Sequence, residues 1–437
     1  MNAKPSGTVR IPAKAARMYD CLAATGRTSP DAPAVVEYAG EGAVRLVTYG
    51  QLQQRVDDTA AALTAAELGP GDRVMVESET SAPAVALFLA CSRLGLLCVP
   101  VTPGTGPHRF AGMVDAVQPD LYLRAGGVAL RTIAPPAGTG RFGPAGVIVE
   151  RPPRRSPGWT GRRSSLESDP ASVVFTSGAL GRAAGVVMSH RSLAALQDSL
   201  TACGLVAGGD RVFTTARFGS ADCFTDICLA LGGGAAIVPV PPALLHWPGS
   251  LLRHLETSGA TVASGPASVW QRVLCQVRRP ARLDRLRTVL LRDQEFPLPG
   301  LHRLRTMVTR ARVIHCYGHA ESPVCGLTDV PRPLPENVRR LPVGTVRPGV
   351  EMMVVDENEQ PIDDCGVVGE LYLRSPMLFT AYWGDPGATS EALVPDPVNR
   401  RSGQTVLRTG DLACLGEGGQ LYLHGRSRGD SRQTVSG

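Results

Sequence analysis

The sequence predicts an α/β protein: two units of alternating strands and helices, followed by a smaller β-rich region. Three observations lead there. Strand, helix and strand patterns alternate between Ala32 and Val99, as in a mostly parallel sheet. A second set of the same kind runs from Arg211 to Cys316. From Leu341 onward the texture changes to short alternating strands separated by Gly/Pro turns.

Residues 15 to 65 hold two helical patterns around a strand at Ala32–Glu37. Thr48-Tyr49-Gly50 opens the second helix, with Leu52, Val56, Ala60 and Leu63 on one face. Gly69-Pro70-Gly71-Asp72 is a turn, and Arg73–Glu77 is the next strand. Pro83 suits the first turn of a buried helix through Leu94, and Leu96–Val99 reads as a strand stopped by Pro100. After a Pro/Gly/Ser-rich stretch from Ala134 to Ser168 come a helix at Ser192–Thr201 and strands at Arg211–Thr215, Ala235–Val240 and Thr261–Ala263. Helices are expected at Phe224–Leu231 and near Leu251–Thr257, and strands at Leu286–Leu291, Ala311–Cys316, Met352–Val355 and Glu370–Arg374. There is no internal repeat and no heptad pattern.

A chain of 437 residues with 43% hydrophobic and 19% charged residues is an ordinary globular composition. The net charge of +6 permits an acidic ligand without implying nucleic acid or a membrane surface. Much of the basicity is local, at Arg151, Arg154, Arg155, Arg162 and Arg163. With Trp159 the only interleaved aromatic, a solvated linker is the simpler reading than a polybasic binding patch. The eleven cysteines form no C-x-x-C pair and read as reduced, mostly core thiols of a cytoplasmic protein. Residues 1–20 carry no apolar signal segment, and the most apolar stretch, Ala84–Val101, is too short and interrupted for a membrane span.

The segment most open to a chemical reading is V-F-T-S-G-A-L-G-R-A-A-G-V-V-M-S-H, Val174 to His190. An apolar run ends at Phe175, and Thr176, Ser177, Gly178, Gly181 and Gly185 then form a turn. Glycines allow backbone N–H groups to point inward, and the hydroxyls add donors, so the turn can cradle a polyphosphate. Taken alone, the turn is better read as an ordinary strand–turn–strand connection.

Four segments together resemble the adenylate-forming superfamily of acyl-CoA synthetases, adenylation domains and fatty acyl-AMP ligases. They are the glycine loop, Tyr317-Gly318-His319-Ala320-Glu321, Gly369-Glu370-Leu371 with Ala381-Tyr382-Trp383, and Leu407 to Leu412 with Gly425-Arg426. Thr48-Tyr49 and Pro70 to Val74 fit as well. The resemblance implies two doubly wound mixed α/β subdomains, 1–190 ending in the phosphate loop and 191–340 holding the substrate pocket. A distorted-barrel subdomain at 341–426 and a hinge remnant at 427–437 would follow, with the family's small C-terminal domain absent. It implies ATP-dependent activation of a carboxylic acid as its acyl-adenylate, for a carrier-protein or CoA thiol, in lipid, polyketide or other secondary metabolism. ATP and Mg²⁺ would be the cofactors, with no nucleic-acid partner. Lacking the C-terminal lysine, the chain would turn over poorly.

By the same resemblance, Tyr317 and Gly318 would face adenine, and Asp411 would accept from the ribose hydroxyls. Arg426 would reach ribose or phosphate. Glu321, with Thr176, would hold Mg²⁺. Phe218, Asp222, Trp270, His319, Cys325 and Gly326 would line the acid pocket, between the second sheet and the segment after Tyr317.

Departures qualify the expectation. Ala183 and Ala184 stand where the loop usually has proline and lysine, so an ammonium for the phosphates is missing. Arg182 either replaces it in part or points to water. The loop's Ala184 to His190 resembles fatty acyl-AMP ligases, with His190 packing behind it. Phe218 to Leu231 resembles amino-acid adenylation domains, where an aspartate grips a substrate ammonium, and Asp222 is the candidate. Asp226 is read as an ordinary polar helix residue. Arg292-Asp293-Gln294 replaces a glycine pair and would crowd the nucleotide unless the loop bends away. Two readings therefore stand beside the first: a free-standing amino- or β-amino-acid adenylation enzyme, and a non-catalytic binding module.

Overall fold

The computed structural model describes residues 17–40, 42–132, 137–154, 164–176, 184–277, 283–292, 296–334 and 340–426. The chain begins with helix α1 (Met18–Thr28), hairpin β1 (Pro33–Gly40) and β2 (Ala43–Thr48), and helix α2 (Tyr49–Ala65). Thr48 and Gln51 set the start of α2 by a reciprocal pair of side-chain to backbone hydrogen bonds. Next come β3 (Arg73–Glu77), α3 (Ala82–Leu94), β4 (Leu97–Val101), α4 (Pro107–Val117), β5 (Leu121–Ala125), β6 (Gly138–Gly143), β7 (Gly146–Arg151), β8 (Pro170–Phe175) and β9 (Gly185–Ser189). The middle of the chain forms α5 (His190–Ala202), β10 (Arg211–Thr214), α6 (Ala221–Gly232), β11 (Ala236–Pro239), α7 (Pro248–Thr257), β12 (Val262–Pro266), α8 (Ala267–Gln276), β13 (Thr288–Arg292), α9 (Leu298–Met307), β14 (Arg312–His319) and β15 (Ser322–Asp329). The remainder is β16 (Thr345–Val346), β17 (Glu351–Val355), β18 (Val368–Arg374), β19 (Ala381–Tyr382), α10 (Pro386–Ala392), β20 (Leu393–Pro395), β21 (Thr405–Leu415) and β22 (Leu421–Arg426).

Among the described residues these strands make three sheets. One has eight strands in the order β19-β9-β8-β4-β3-β5-β6-β7, and one has nine in the order β16-β15-β14-β13-β12-β10-β11-β1-β2. Both are parallel in the middle and antiparallel at the edges. The third is a five-stranded antiparallel sheet, β17-β18-β21-β20 with β22 against β21. A shared apolar layer contributed by α1, α2, α3, α5 and α6 fills the space between the two large sheets. The outer face of the first sheet is covered by α4, and that of the second by α7, α8 and α9. Buried on both faces, the central strands read as the continuous apolar runs seen in the sequence.

The sheets cross the expected subdomain boundaries. β1 and β2, from the first 190 residues, complete the edge of the nine-stranded sheet, because β1 pairs with β11. β19, from the β-rich region, closes the eight-stranded sheet by pairing with β9. Pro100 does not stop β4, which runs on to Val101. On the β8 side the pairing of β4 narrows to Cys98 with Ser172, so the missing N–H of Pro100 breaks no ladder bond there. Part of the stretch read as a linker is the hairpin β6–β7, packed so closely that a Cβ on Gly140 would stand 2.5 Å from the Ile148 carbonyl. Arg155, Trp159, Arg162 and Arg163, and with them most of the suspected basic patch, lie outside the described residues. All eleven cysteines are free thiols. Among the described residues no helix is long and apolar enough to cross a membrane.

Phe88 of α3 meets Phe224 of α6 with ring centroids 4.3 Å apart, joining the helices of the two sheets. Both rings are almost wholly buried. Phe88→Ala should lower unfolding free energy by about 3–5 kcal/mol in urea titration, whereas a loss under about 1 kcal/mol would contradict this packing.

Candidate active site

The carboxylate of Asp411, in β21, is where three segments meet. Tyr317, near the end of β14, donates from its hydroxyl to Asp411 Oδ2 at 2.7 Å. His319 Nε2 lies 2.9 Å from that oxygen and 2.9 Å from the Tyr317 hydroxyl. Arg426, ending β22, donates from Nε to Asp411 Oδ1 at 2.8 Å. Burial alone would raise this carboxyl, but the hydrogen bond from His319, then that from Tyr317 and the charge of Arg426, hold it down at about 2. Asp411 is therefore an anion under all ordinary conditions. The Thr409 hydroxyl donates to the Leu371 carbonyl and accepts from the Asp411 amide, fixing the bend that carries the carboxylate.

Glu321 sits at the tip of the β14–β15 hairpin. Gly318 is required there: a Cβ would stand 2.3 Å from the Val324 amide nitrogen. Val324 itself has a positive φ of 47°, and buried Arg347 donates to its carbonyl and to that of Pro323. Glu321 Oε1 accepts from the Tyr382 hydroxyl at 2.6 Å. Tyr382 belongs to β19, which pairs with β9, and the Trp383 amide donates to the Gly185 carbonyl at 2.7 Å. β9 in turn pairs with β8, and the Thr176 amide donates to the Ala184 carbonyl at 3.0 Å, closing the stem of the glycine loop. Glu321 is thus tied to that stem from one side and, through the same hairpin, to Asp411 from the other. Ser177, Gly178, Gly181 and Arg182 lie outside the described residues.

Sequence reasoning passed over Arg109 of α4. Its Nη2 donates to the Phe175 carbonyl at 3.0 Å and the Thr176 carbonyl at 3.2 Å, placing a cation at the root of the loop. The only advance signal was the lysine missing at Ala184. His190 is buried at the start of α5, and burial holds its imidazole down at about 4, so it is neutral.

The acid-pocket expectation divides. His319 belongs to the Asp411 cluster. Gly326 is the cross-strand partner of Tyr317, and Cys325 is fully buried with its thiol on the Ser322 carbonyl. Phe218 lies in the apolar layer between the sheets, while Trp270 lies in the core on the opposite face of the nine-stranded sheet. The strands between them rule out a common wall.

Asp222, in the first turn of α6, is paired with Arg292 at 3.0 Å and keeps a side chain 41% exposed. Asp226, one turn on, is not an ordinary polar helix residue. It is fully buried and accepts from Arg292 at 2.5 Å, from Thr214 at 2.6 Å and from Ser264 at 2.9 Å. Arg292 turns into this cluster, so its side chain does not crowd a nucleotide. Burial opposes its charge, but Asp226 and then Asp222 outweigh that and hold the guanidinium above its ordinary range.

Because the folded pKa of Asp411 is depressed, its stabilisation is present above the ordinary aspartate value and is lost as pH falls through about 2. Asp411→Asn should cost about 2 kcal/mol at pH ~7, a gap that closes between pH ~4 and ~2 in urea titrations. A gap constant across that window would contradict the cluster.

A family model described as "AMP-binding enzyme" matches residues 22–383. Two solved structures, IdnL1 and CmiS6, each superpose with a TM-score of 0.89. IdnL1 is 44% identical, over 94% of this chain and 83% of that one, and CmiS6 41% identical, over 97% and 99%. A linear gramicidin synthase of Brevibacillus parabrevis is 27% identical over 91% of this chain, which spans 5% of that protein's length. A D-alanine–D-alanyl carrier protein ligase of Bacillus licheniformis is 24% identical over 94% of this chain and 78% of its own length. None of these four is described as a fatty acyl-AMP ligase. With most of its length matched by the family model and the fold shared almost end to end, this chain belongs to the AMP-binding enzyme family.

Proposed function

We propose that this chain binds ATP and activates a carboxylic acid as its acyl-adenylate for transfer to a carrier-protein or CoA thiol. The observation that supports it most is the continuous bonded path from Asp411 through Tyr317, the hairpin of Glu321 and Tyr382 to the stem at Thr176. A nucleotide lying along that path would have ribose at one end and phosphates at the other. The acid's carboxylate oxygen forms a bond to the α-phosphorus, the bond to the bridging oxygen breaks, and pyrophosphate leaves with the electron pair. The protein's share in such a transfer is positioning and charge neutralisation.

The residues fit that task. An ionised carboxylate offers about four acceptor positions, of which Tyr317, His319 and Arg426 use three. Ribose hydroxyls would displace the Tyr317 hydroxyl, freeing its ring to lie against adenine. Glu321 supplies a hard oxygen donor. Among the described residues no three potential metal ligands cluster. A divalent ion would thus be held by this carboxylate with phosphate and water oxygens, the coordination Mg²⁺ prefers. Mg²⁺ would there neutralise phosphate charge. Arg109, with Arg182, would stand in for the lysine absent at Ala184.

Asp222 favours one class of acid. Its partly exposed carboxylate lies at the carboxyl edge of the parallel strands, where open α/β sheets bind ligands, and suits an acid bearing an ammonium group. A fatty acid would leave Asp222 with Arg292 as its partner and add no second one.

Acid-dependent exchange of labelled pyrophosphate into ATP tests the proposal. Exchange with at least one acid, abolished in Asp411→Ala, is expected, and silence with fatty, aryl and amino acids alike would overturn it. Tyr317→Phe should leave the ATP KM within about threefold, and Tyr317→Ala should raise it about tenfold, as for loss of a base–aromatic stack. Arg109→Ala should also raise the ATP KM, by about tenfold, as for loss of a charge-assisted contact, and leave the acid KM unchanged; equal effects on both would contradict its place at the phosphates.

A further inference from the structure

Arg292 makes more contacts than the buried carboxylate needs. Asp226 already accepts from Thr214 and Ser264, and one guanidinium nitrogen of Arg292 is its third donor. The Nε atom bonds Ser264 Oγ at 3.0 Å. The remaining arm, Nη1, reaches out to Asp222 Oδ1 at 3.0 Å. An ion pair with a partner so exposed adds little stability. What it does is remove the rotamer freedom of an aspartate that would otherwise sweep the first helical turn.

Two carboxylates and one guanidinium leave the cluster with one net negative charge. Asp226 is fully buried with both oxygens bonded, so that charge is presented to solvent at Asp222 alone. The register places Leu291 opposite His315, so Arg292 stands level with Cys316, one residue before Tyr317. The exposed carboxylate therefore lies beside the strand that carries the proposed adenine platform.

We propose that Arg292 is a positioning residue that sets acid specificity: it anchors one oxygen of Asp222 and aims the other at the ammonium group of the substrate acid. This inference rests on the acid-activation reading and on Asp222 as the ammonium partner. It also explains why an arginine occupies a place expected to hold glycine. The side chain folds back under α6 and acts through Asp222 without touching the nucleotide. A pre-aimed carboxylate binds an ammonium with less ordering cost than a mobile one.

The test is the paired substitution Arg292→Met with Asp226→Asn, which removes one charge of each sign and leaves Asp222 in place. Exchange kinetics are read with an amino acid the wild type accepts and with the same acid carrying hydrogen in place of ammonium. The expected result is an acid KM raised about tenfold or more for the amino acid, as for a lost charge-assisted contact. The preference over the deaminated acid should shrink in proportion, with the ATP KM unchanged. An unchanged preference would overturn the proposal. Should that variant fail to fold, Asp222→Glu decides: it keeps the charge but displaces it, so wild-type preference in this variant would equally overturn the positioning role. A wild type that exchanges only with ammonium-free acids would remove the ammonium reading while leaving acid activation intact. Exchange with no acid would remove both.

Discussion

The site depends on one buried anion. Asp411 is encircled by a phenol, an imidazole and a guanidinium drawn from the end of one large sheet and from the small antiparallel sheet. Removing such a carboxylate from water is costly unless donors surround it, and here three do. The same constraint that makes the cluster stable leaves it an acceptor for hydroxyls, because a carboxylate held below its usual range is ionised at neutral pH. Stability and ligand readiness come from a single arrangement.

Around it the architecture works as a frame. Two sheets, each parallel in its middle, share a helical layer, and their carboxyl edges carry the segments of the proposed site: the glycine-loop stem after β8, Arg292 at the end of β13, Tyr317 near the end of β14 and Glu321 just beyond it. β19 is a two-residue strand, yet it stitches the late part of the chain to the glycine-loop strand and brings Tyr382 to Glu321. That exchange of strands between regions is what ties separate sequence motifs into one bonded path.

Much of this was legible in the sequence. The strand at Arg73–Glu77, the helix opening at Thr48 and the strands from Arg211 onward follow from periodicity, turns and caps that act locally. Tyr317, Glu321 and Asp411 drew notice because their motifs carry acidic and aromatic side chains, and the structure joins Tyr317 to Asp411 and Glu321 to Tyr382. What was missed depended on partners distant in sequence. Pro100 sits inside a strand because its neighbour does not need its N–H, and the β6–β7 hairpin lies in glycine-rich sequence that packs without side chains. Arg109 drew no notice, and Arg292 was expected to crowd the nucleotide. Their contacts are with carbonyls 66 and 67 residues away and carboxylates 66 and 70 residues away, which no local pattern encodes.

The most direct measurement is a crystal structure with a non-hydrolysable acyl-adenylate analogue bound. The account requires the ribose hydroxyls on Asp411, the adenine against Tyr317 and the phosphate mimic between Glu321 and Thr176. A nucleotide bound elsewhere, with Tyr317 still donating to Asp411, would contradict it.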